Sequence, residues 1–382
     1  MKEIGNSAPA ARKPGSPSSG QGAAAKESGR LPGGPQVWMV AELSANHGRD
    51  IDIVKRSIEK AAEIGCDAVK IQTYTPDTIT LDCDNEYFRL STGTIWDGMT
   101  LHRLYSEAYL PWEWHRELFR TARETGITLF SSPFDPTAVD LLEDCGCPVY
   151  KIASFEINDL PLIRYAAGKG RPMILSTGIA TREEIAAAVD ACRSAGSGEI
   201  YLLQCTSQYP ARIEDANLRT MTDMGERFGT GVGLSDHTEG PEAAAAAAAL
   251  GAQIIEKHFT LDRGIGGPDA SFSMEPEDFR AMNRMVRRIE AALGSVDYSL
   301  SAARQAARRY ARSLFVVADV RRGDPVTAEN VRSIRPAAGL APSCYEEVLG
   351  QRFAVDVRAG TPLSLSLLSG SKAAEESERG GE

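Results

Sequence analysis

Short apolar runs, nearly all ending in a polar residue, alternate with amphipathic helical stretches about eight times between residues 37 and 293. Parallel strands need long crossovers, and each crossover helix must bury one face on the sheet. An alternation of this length therefore leads to an α/β fold of one kind, a (β/α)8 TIM barrel. The strand-like runs occupy 37–42, 68–72, 127–131, 149–153, 173–177, 200–205, 232–235 and 254–258. Helical patterns such as 54–64, 112–124, 138–145, 160–169, 182–195 and 241–250 lie between them.

In such a barrel the carboxyl ends of all strands open on one mouth, where side chains distant in sequence converge. Collected from the strand ends, the mouth holds Glu42, Asn46 and His47, Lys70 and Gln72, Ser131 and Ser132, Lys151 and Ser154, and Ser176 and Thr177. Gln204, Thr206, Ser207, Ser235, His237, Lys257 and His258 complete it. This reads as a cationic, hydroxyl-rich cup suited to a small substrate bearing carboxylate or phosphate, because ammonium and hydroxyl donors replace water around oxyanions. The chain has five histidines, and two of them, His237 and His258, each follow an apolar run, one strand apart. Imidazoles on adjacent strand ends can share one divalent metal, and two imidazoles with oxygen ligands do not choose among Mn, Mg and Co. Glu42 is the acid at the end of the first strand and a natural general base.

The 382 residues carry a formal net charge of −10 and no basic tract interleaved with aromatics, which excludes a nucleic-acid binder as the natural reading. Seven scattered cysteines fit reduced thiols with packing roles better than a disulfide framework. Residues 1–35 are rich in Gly, Ser, Pro, Ala and Lys without a secretory apolar core and read as a disordered extension. The last stretch, 369–382, reads likewise, and no segment reaches membrane-spanning length. A soluble cytoplasmic enzyme with no membrane partner is the expectation.

An excursion at 73–111 leaves the barrel after the second strand, where long loops form lids or specificity walls. Its Asp77, Asp84, Asn85, Tyr87 and Phe88 suit contact with a sugar. After the barrel domain, 36–293, a helical linker at 294–311 carries Arg304, Arg308 and Arg309 and leads to short strands punctuated by Gly and Pro over 312–368, a small β-containing domain.

Several runs carry a resemblance. Ala-Glu-Leu-Ser-Ala-Asn-His-Gly at 41–48, Asp-Ala-Val-Lys-Ile-Gln-Thr-Tyr at 67–74 and Ser-Ser-Pro-Phe-Asp at 131–135 are three of them. Tyr-Lys-Ile-Ala-Ser-Phe-Glu at 150–156, Gly-Leu-Ser-Asp-His-Thr at 233–238 and Glu-Lys-His-Phe-Thr-Leu at 256–261 are the others. Together they resemble the sialic acid synthase family, and the tail from Arg312 is similar to its antifreeze-like (SAF) domain. The excursion, the run Ala-Tyr-Leu-Pro-Trp-Glu-Trp-His at 108–115, and Ala270 after Asp269, where sialic acid synthases usually carry histidine, look most like the pseudaminate branch.

The resemblance implies condensation of phosphoenolpyruvate with an amino-sugar aldehyde, 2,4-diacetamido-2,4,6-trideoxy-L-altrose, with release of phosphate by C–O cleavage and help from a divalent metal. It places His237 and His258 as metal ligands and Glu42 near the attacked carbon. Lys70, Gln72, Ser132, Lys151, Ser154, Ser176, Ser207 and Ser235 fall where the family binds phosphate and carboxylate, and Ser207 stands where sialic acid synthases often have asparagine. Asn46, Tyr209 and Asp269 fall near the sugar. Arg335 matches a residue that reaches into a partner subunit's active site, which implies a domain-swapped homodimer. Alternative readings are an N-acetylneuraminate or legionaminate synthase, a class I aldolase using Lys151 or Lys257 as a Schiff-base nucleophile, or a non-catalytic binding protein built on the same scaffold.

Overall fold

The computed structural model describes residues 32–90, 97–208 and 210–369 and divides into two compact units, which meet in sequence at Gly294 and Ser295.

The first unit is a closed barrel of eight parallel strands in sequence order. They are β1 (Trp38–Glu42), β2 (Ala68–Thr73), β3 (Thr128–Pro133), β4 (Tyr150–Ile152), β5 (Met173–Ser176), β6 (Ile200–Cys205), β7 (Gly231–Asp236) and β8 (Ile254–His258). Glu42 is in register with Lys70 on one side and His258 on the other, which closes the ring and sets three polar side chains at one level. The strands are buried on both faces, which is why they read as near-continuous apolar runs. Inside the barrel, below the mouth, Trp38 and Phe130 pack with ring centroids 5.2 Å apart. Tyr201 lies over Gly231, where a Cβ would come within 2.2 Å of its ring, so only glycine admits that ring.

Local signals end and start the crossover helices. Asp135 caps the helix Pro136–Cys145 by accepting from the Thr137 and Ala138 amides, and Gly146 stops it at φ 76°. Thr181 and Glu184 form a reciprocal capping box on Arg182–Ser194. A helix at Arg219–Phe228 fills the β6–β7 crossover, where its apolar positions were too sparse to stand out from the sequence. The excursion after β2 holds the helices Pro76–Ile79 and Leu101–Ala108.

The second unit contains two small antiparallel pairs. β9 (Ser313–Val316) pairs with β10 (Val331–Ile334), and β11 (Arg352–Phe353) pairs with β12 (Leu368–Ser369). They enclose a core of their own around Leu314, Val316, Val331, Phe353 and Leu363. Among the described residues no helix is long and apolar enough to cross a membrane.

Candidate active site

Alternation along a strand decides which end residues face inward. In β8, Glu256 and His258 share the inner face and Lys257 takes the outer one. In β7 and just past it, Ser235 and His237 point in and Asp236 points out. The inner set, with Glu42, Lys70, Gln72, Lys151, Ser154, Ser176, Cys205 and Asp269, lines a cavity of about 360 Å³ at the carboxyl ends of the strands.

Its floor is a chain of alternating charges. The Lys70 Nζ lies 2.9 Å from Glu42 Oε2 and 3.4 Å from Glu256 Oε1, and the Lys151 Nζ lies 2.6 Å from Glu256 Oε2. All four groups are buried. The expected cationic cup is therefore charge-balanced, and Glu256 is a charged residue of its floor that sequence reasoning missed. It sits inside the run Ile254-Ile255-Glu256-Lys257-His258, and strand parity alone would have placed it beside His258 and set Lys257 apart. Lys257 indeed bonds Asp236 Oδ2 at 2.7 Å and the Thr238 carbonyl at 2.6 Å on the outer side. Its expected place in the cup is corrected on that ground: two ammonium groups meet there, not three.

Burial pushes the Glu42 carboxyl upward, and Lys70 only partly offsets it. Burial pushes Glu256 the same way, but Lys151 and Lys70 outweigh it and hold this carboxyl below the ordinary range. The first acid is thus a proton acceptor of raised basicity and the second a permanent anion.

Hydroxyls form the next part of the wall. Ser154 Oγ accepts from the Gly178 amide at 3.1 Å, and a Cβ at Gly178 would lie 2.3 Å from Ser207 Oγ, so the glycine lets these hydroxyls approach. The Ser176 and Ser207 Oγ atoms are buried without a hydrogen-bond partner among the described residues. Ser235 Oγ reaches Glu256 Oε1 at 3.4 Å. Ser132 is fully buried behind Lys70, with Nζ to Oγ at 3.4 Å. Buried hydroxyls and an amide beside Lys151 form a ready cradle for an oxyanion.

The His237 and His258 rings lie with centroids 5.1 Å apart. His237 Nδ1 is 2.9 Å from the Thr206 carbonyl, so Nδ1 carries a proton; burial opposes a charge on this imidazole, but Cys205 and that carbonyl outweigh it and raise the group above its usual range. Burial, followed by the neighbouring His237 and lysines, holds His258 well below the usual imidazole range and hence neutral. Cys205 Sγ stands 3.7 Å from His237 Nδ1 and was not foreseen at the site.

Other expected residues go elsewhere. Asn46 does not line the cavity: its amide donates to the Phe259 carbonyl at 3.0 Å and to Ser273 Oγ at 2.7 Å, joining the β1 and β8 loops. His47 accepts from the Arg49 amide and bonds the Ala108 carbonyl at 3.1 Å, clamping the excursion down. Ser131, Thr177 and Gln204 bond the backbone of Ile71, Leu203 and Ala216. Tyr209 lies outside the described residues. Arg335 follows β10 in the second unit and is exposed.

The excursion supplies the cavity with Ile79, Leu104, Tyr105 and Ala108 rather than its polar residues. Asp77 pairs with His102, Asp84 pairs with Arg89, and Tyr87 is exposed. Two short amphipathic helices turn their apolar faces inward, which leaves the charges at the surface. Across from them Glu156, raised by burial to about 7, and Phe155 join the wall.

The chain resembles known proteins over most of its length. Residues 57–298 match the NeuB family and 311–369 match the SAF domain. The chain is 46% identical to the pseudaminic acid synthase of Helicobacter pylori over 327 residues, 85% of this chain and 96% of that protein. It is 36% identical to an N,N'-diacetyllegionaminic acid synthase of Campylobacter jejuni, over 83% of this chain and 95% of that one. The crystal structure of N-acetylneuraminic acid synthetase from Leptospira borgpetersenii, in complex with citrate, superposes with a TM-score of 0.65 at 31% identity, covering 72% of this chain and 92% of that one.

Proposed function

This chain belongs to the NeuB family, and on that premise we propose that it acts as a pseudaminic acid synthase, condensing phosphoenolpyruvate with 2,4-diacetamido-2,4,6-trideoxy-L-altrose. The observation that carries the reading is the joining, in one cavity, of a Glu42–Lys70–Glu256–Lys151 chain, a hydroxyl cradle and two neighbouring imidazoles. The greater identity to a pseudaminic than to a legionaminic acid synthase favours this sugar over its relatives.

The residues divide the work. Lys151, Ser154, Ser176 and Ser207 hold the phosphate, while Lys70, Gln72 and Ser235 orient the enolpyruvate. C3 of the enol forms the new C–C bond to the sugar aldehyde carbon, and the aldehyde oxygen gains a proton to become a hydroxyl. Water adds at C2, with Glu42 taking one of its protons, and the C2–O bond to phosphate then breaks, phosphate leaving with the bonding electrons and the remaining hydroxyl proton, to give the keto acid. Lys70 and Lys151 offset the charge that develops near the departing phosphate.

A divalent ion fits the donors present. The His237 and His258 rings, with centroids 5.1 Å apart at the cavity wall, are the ones that would hold it. Among the described residues no cluster of three or more His, Cys, Asp or Glu would hold an ion alone, so water or substrate oxygen would complete its sphere. When bound, such an ion supplies Lewis acidity toward the sugar carbonyl. His237→Ala should lower the metal content after dialysis, read by elemental analysis, while circular dichroism stays unchanged.

The test of the activity uses phosphoenolpyruvate carrying isotopically heavy oxygen at its bridging position. Label recovered in phosphate, dependent on the diacetamido altrose, supports the reading. Equal or better turnover of N-acetylmannosamine would remove the sugar assignment, and borohydride trapping of a lysine–pyruvate adduct would favour the aldolase instead. Seven free cysteines fit a reducing compartment, and we place the enzyme in the cytoplasm on that basis.

A further inference from the structure

Three described non-glycine residues adopt positive φ, namely Ser44, Arg49 and Asn217, and of these only Ser44 lines the cavity. Its φ of 45° is a conformation glycine adopts freely and serine does not. A side chain kept at a strained position beside a site is a pointer to what that side chain does.

Ser44 Oγ links two residues of the wall. Gln72 Nε2 donates one hydrogen to Glu42 Oε1 at 3.0 Å and the other to Ser44 Oγ at 3.0 Å. The Glu42 carboxylate can only accept, so the amide is fixed in this orientation. Having accepted from Gln72, the Ser44 hydroxyl directs its own proton to Asp269 Oδ2, its close partner. A one-way chain therefore runs from Gln72 through Ser44 to Asp269 while Gln72 also holds Glu42. Asp269 lines the cavity and accepts in addition from the Ala45 amide.

We propose that Ser44 is a positioning residue for the sugar, locking Gln72 and Asp269 into one hydrogen-bonded chain with Glu42 and so setting where the cavity receives the sugar's hydroxyl groups. This rests on the synthase reading above. Without the hydroxyl, Asp269 loses its directed donor and the second Gln72 hydrogen loses its acceptor, while the phosphate-holding Lys151, Ser154, Ser176 and Ser207 are untouched and Gln72 keeps its bond to Glu42.

Ser44→Gly separates this role from a structural one, because glycine relieves the backbone strain while removing the hydroxyl. The variant is expected to melt at or above the wild-type temperature. Its KM for the diacetamido altrose should rise on the order of ten-fold, with a much smaller rise in the KM for phosphoenolpyruvate, because Gln72 keeps its bond to Glu42. Ser44→Ala, which keeps the strain, should show the same kinetic loss and melt below Ser44→Gly. An unchanged sugar KM in Ser44→Gly, or equal rises in both KM values, would overturn the proposal while leaving the synthase assignment intact. Wild-type enzyme that fails to turn over this sugar would remove both.

Discussion

Glu156 shows how a single side chain in this cavity ties pH to stability. Its carboxyl is raised from 4.5 to about 7, first by burial and then by Asp159, with Lys70 acting in the opposite direction. A carboxyl raised in the folded state keeps its proton where the unfolded chain has lost it. Folding is therefore favoured below the unfolded pKa and is weakened progressively as pH climbs to about 7, after which the difference is constant. Glu156→Gln removes this penalty. Thermal melts should show little difference from wild type near pH 4.5 and an advantage at pH 8 on the order of 3 kcal/mol. A variant no more stable than wild type at pH 8 would mean the carboxyl ionises freely.

At the scale of elements, β8 separates a catalytic from a structural charge by one position. Lys257 and Asp236 form a buried pair on the outer face, and breaking such a pair strands an uncompensated charge. Lys257→Met is expected to lower stability by about 3 kcal/mol in denaturant titration, with both KM values unchanged, and Asp236→Asn in the same chain should recover part of the loss. The eight strands were legible from sequence because a buried parallel strand reads as an apolar run with a polar end, and the mouth followed from the topology. Facing was harder: in runs of four to six residues buried on both sides, polarity does not mark the inner face, so Lys257 was drawn into the cup and Glu256 overlooked. Asn46 and His47 were found as polar loop residues, but their partners, Phe259, Ser273 and Ala108, lie 61 to 227 positions away, and no local pattern announces such bonds. The excursion misled for a related reason, since its charged residues pair among themselves and its aliphatic ones meet the cavity.

For the whole molecule, Val296 and Tyr298 stand almost fully exposed, at 89% and 94%, with Leu300 close by. On the family resemblance at Arg335 we propose a homodimer, in which such exposed apolar side chains would find cover. Sedimentation equilibrium should give twice the chain mass, and Val296→Asp combined with Tyr298→Asp should shift it toward the monomer. A wild-type monomer at micromolar concentration would remove the dimer. The charge-balanced floor has a consequence of a thermodynamic kind. Two ammonium groups already engaged by two carboxylates cannot neutralise an arriving polyanion unless one carboxylate gives way, and Glu42, whose proton affinity burial has raised, is the one that yields, passing its proton to the aldehyde oxygen as the C–C bond forms and so becoming a base again before water adds. Binding of phosphoenolpyruvate should accordingly draw a proton from solution, and calorimetric titrations in PIPES and in Tris should differ in heat by the protons taken up times the difference in ionisation enthalpy of the two buffers.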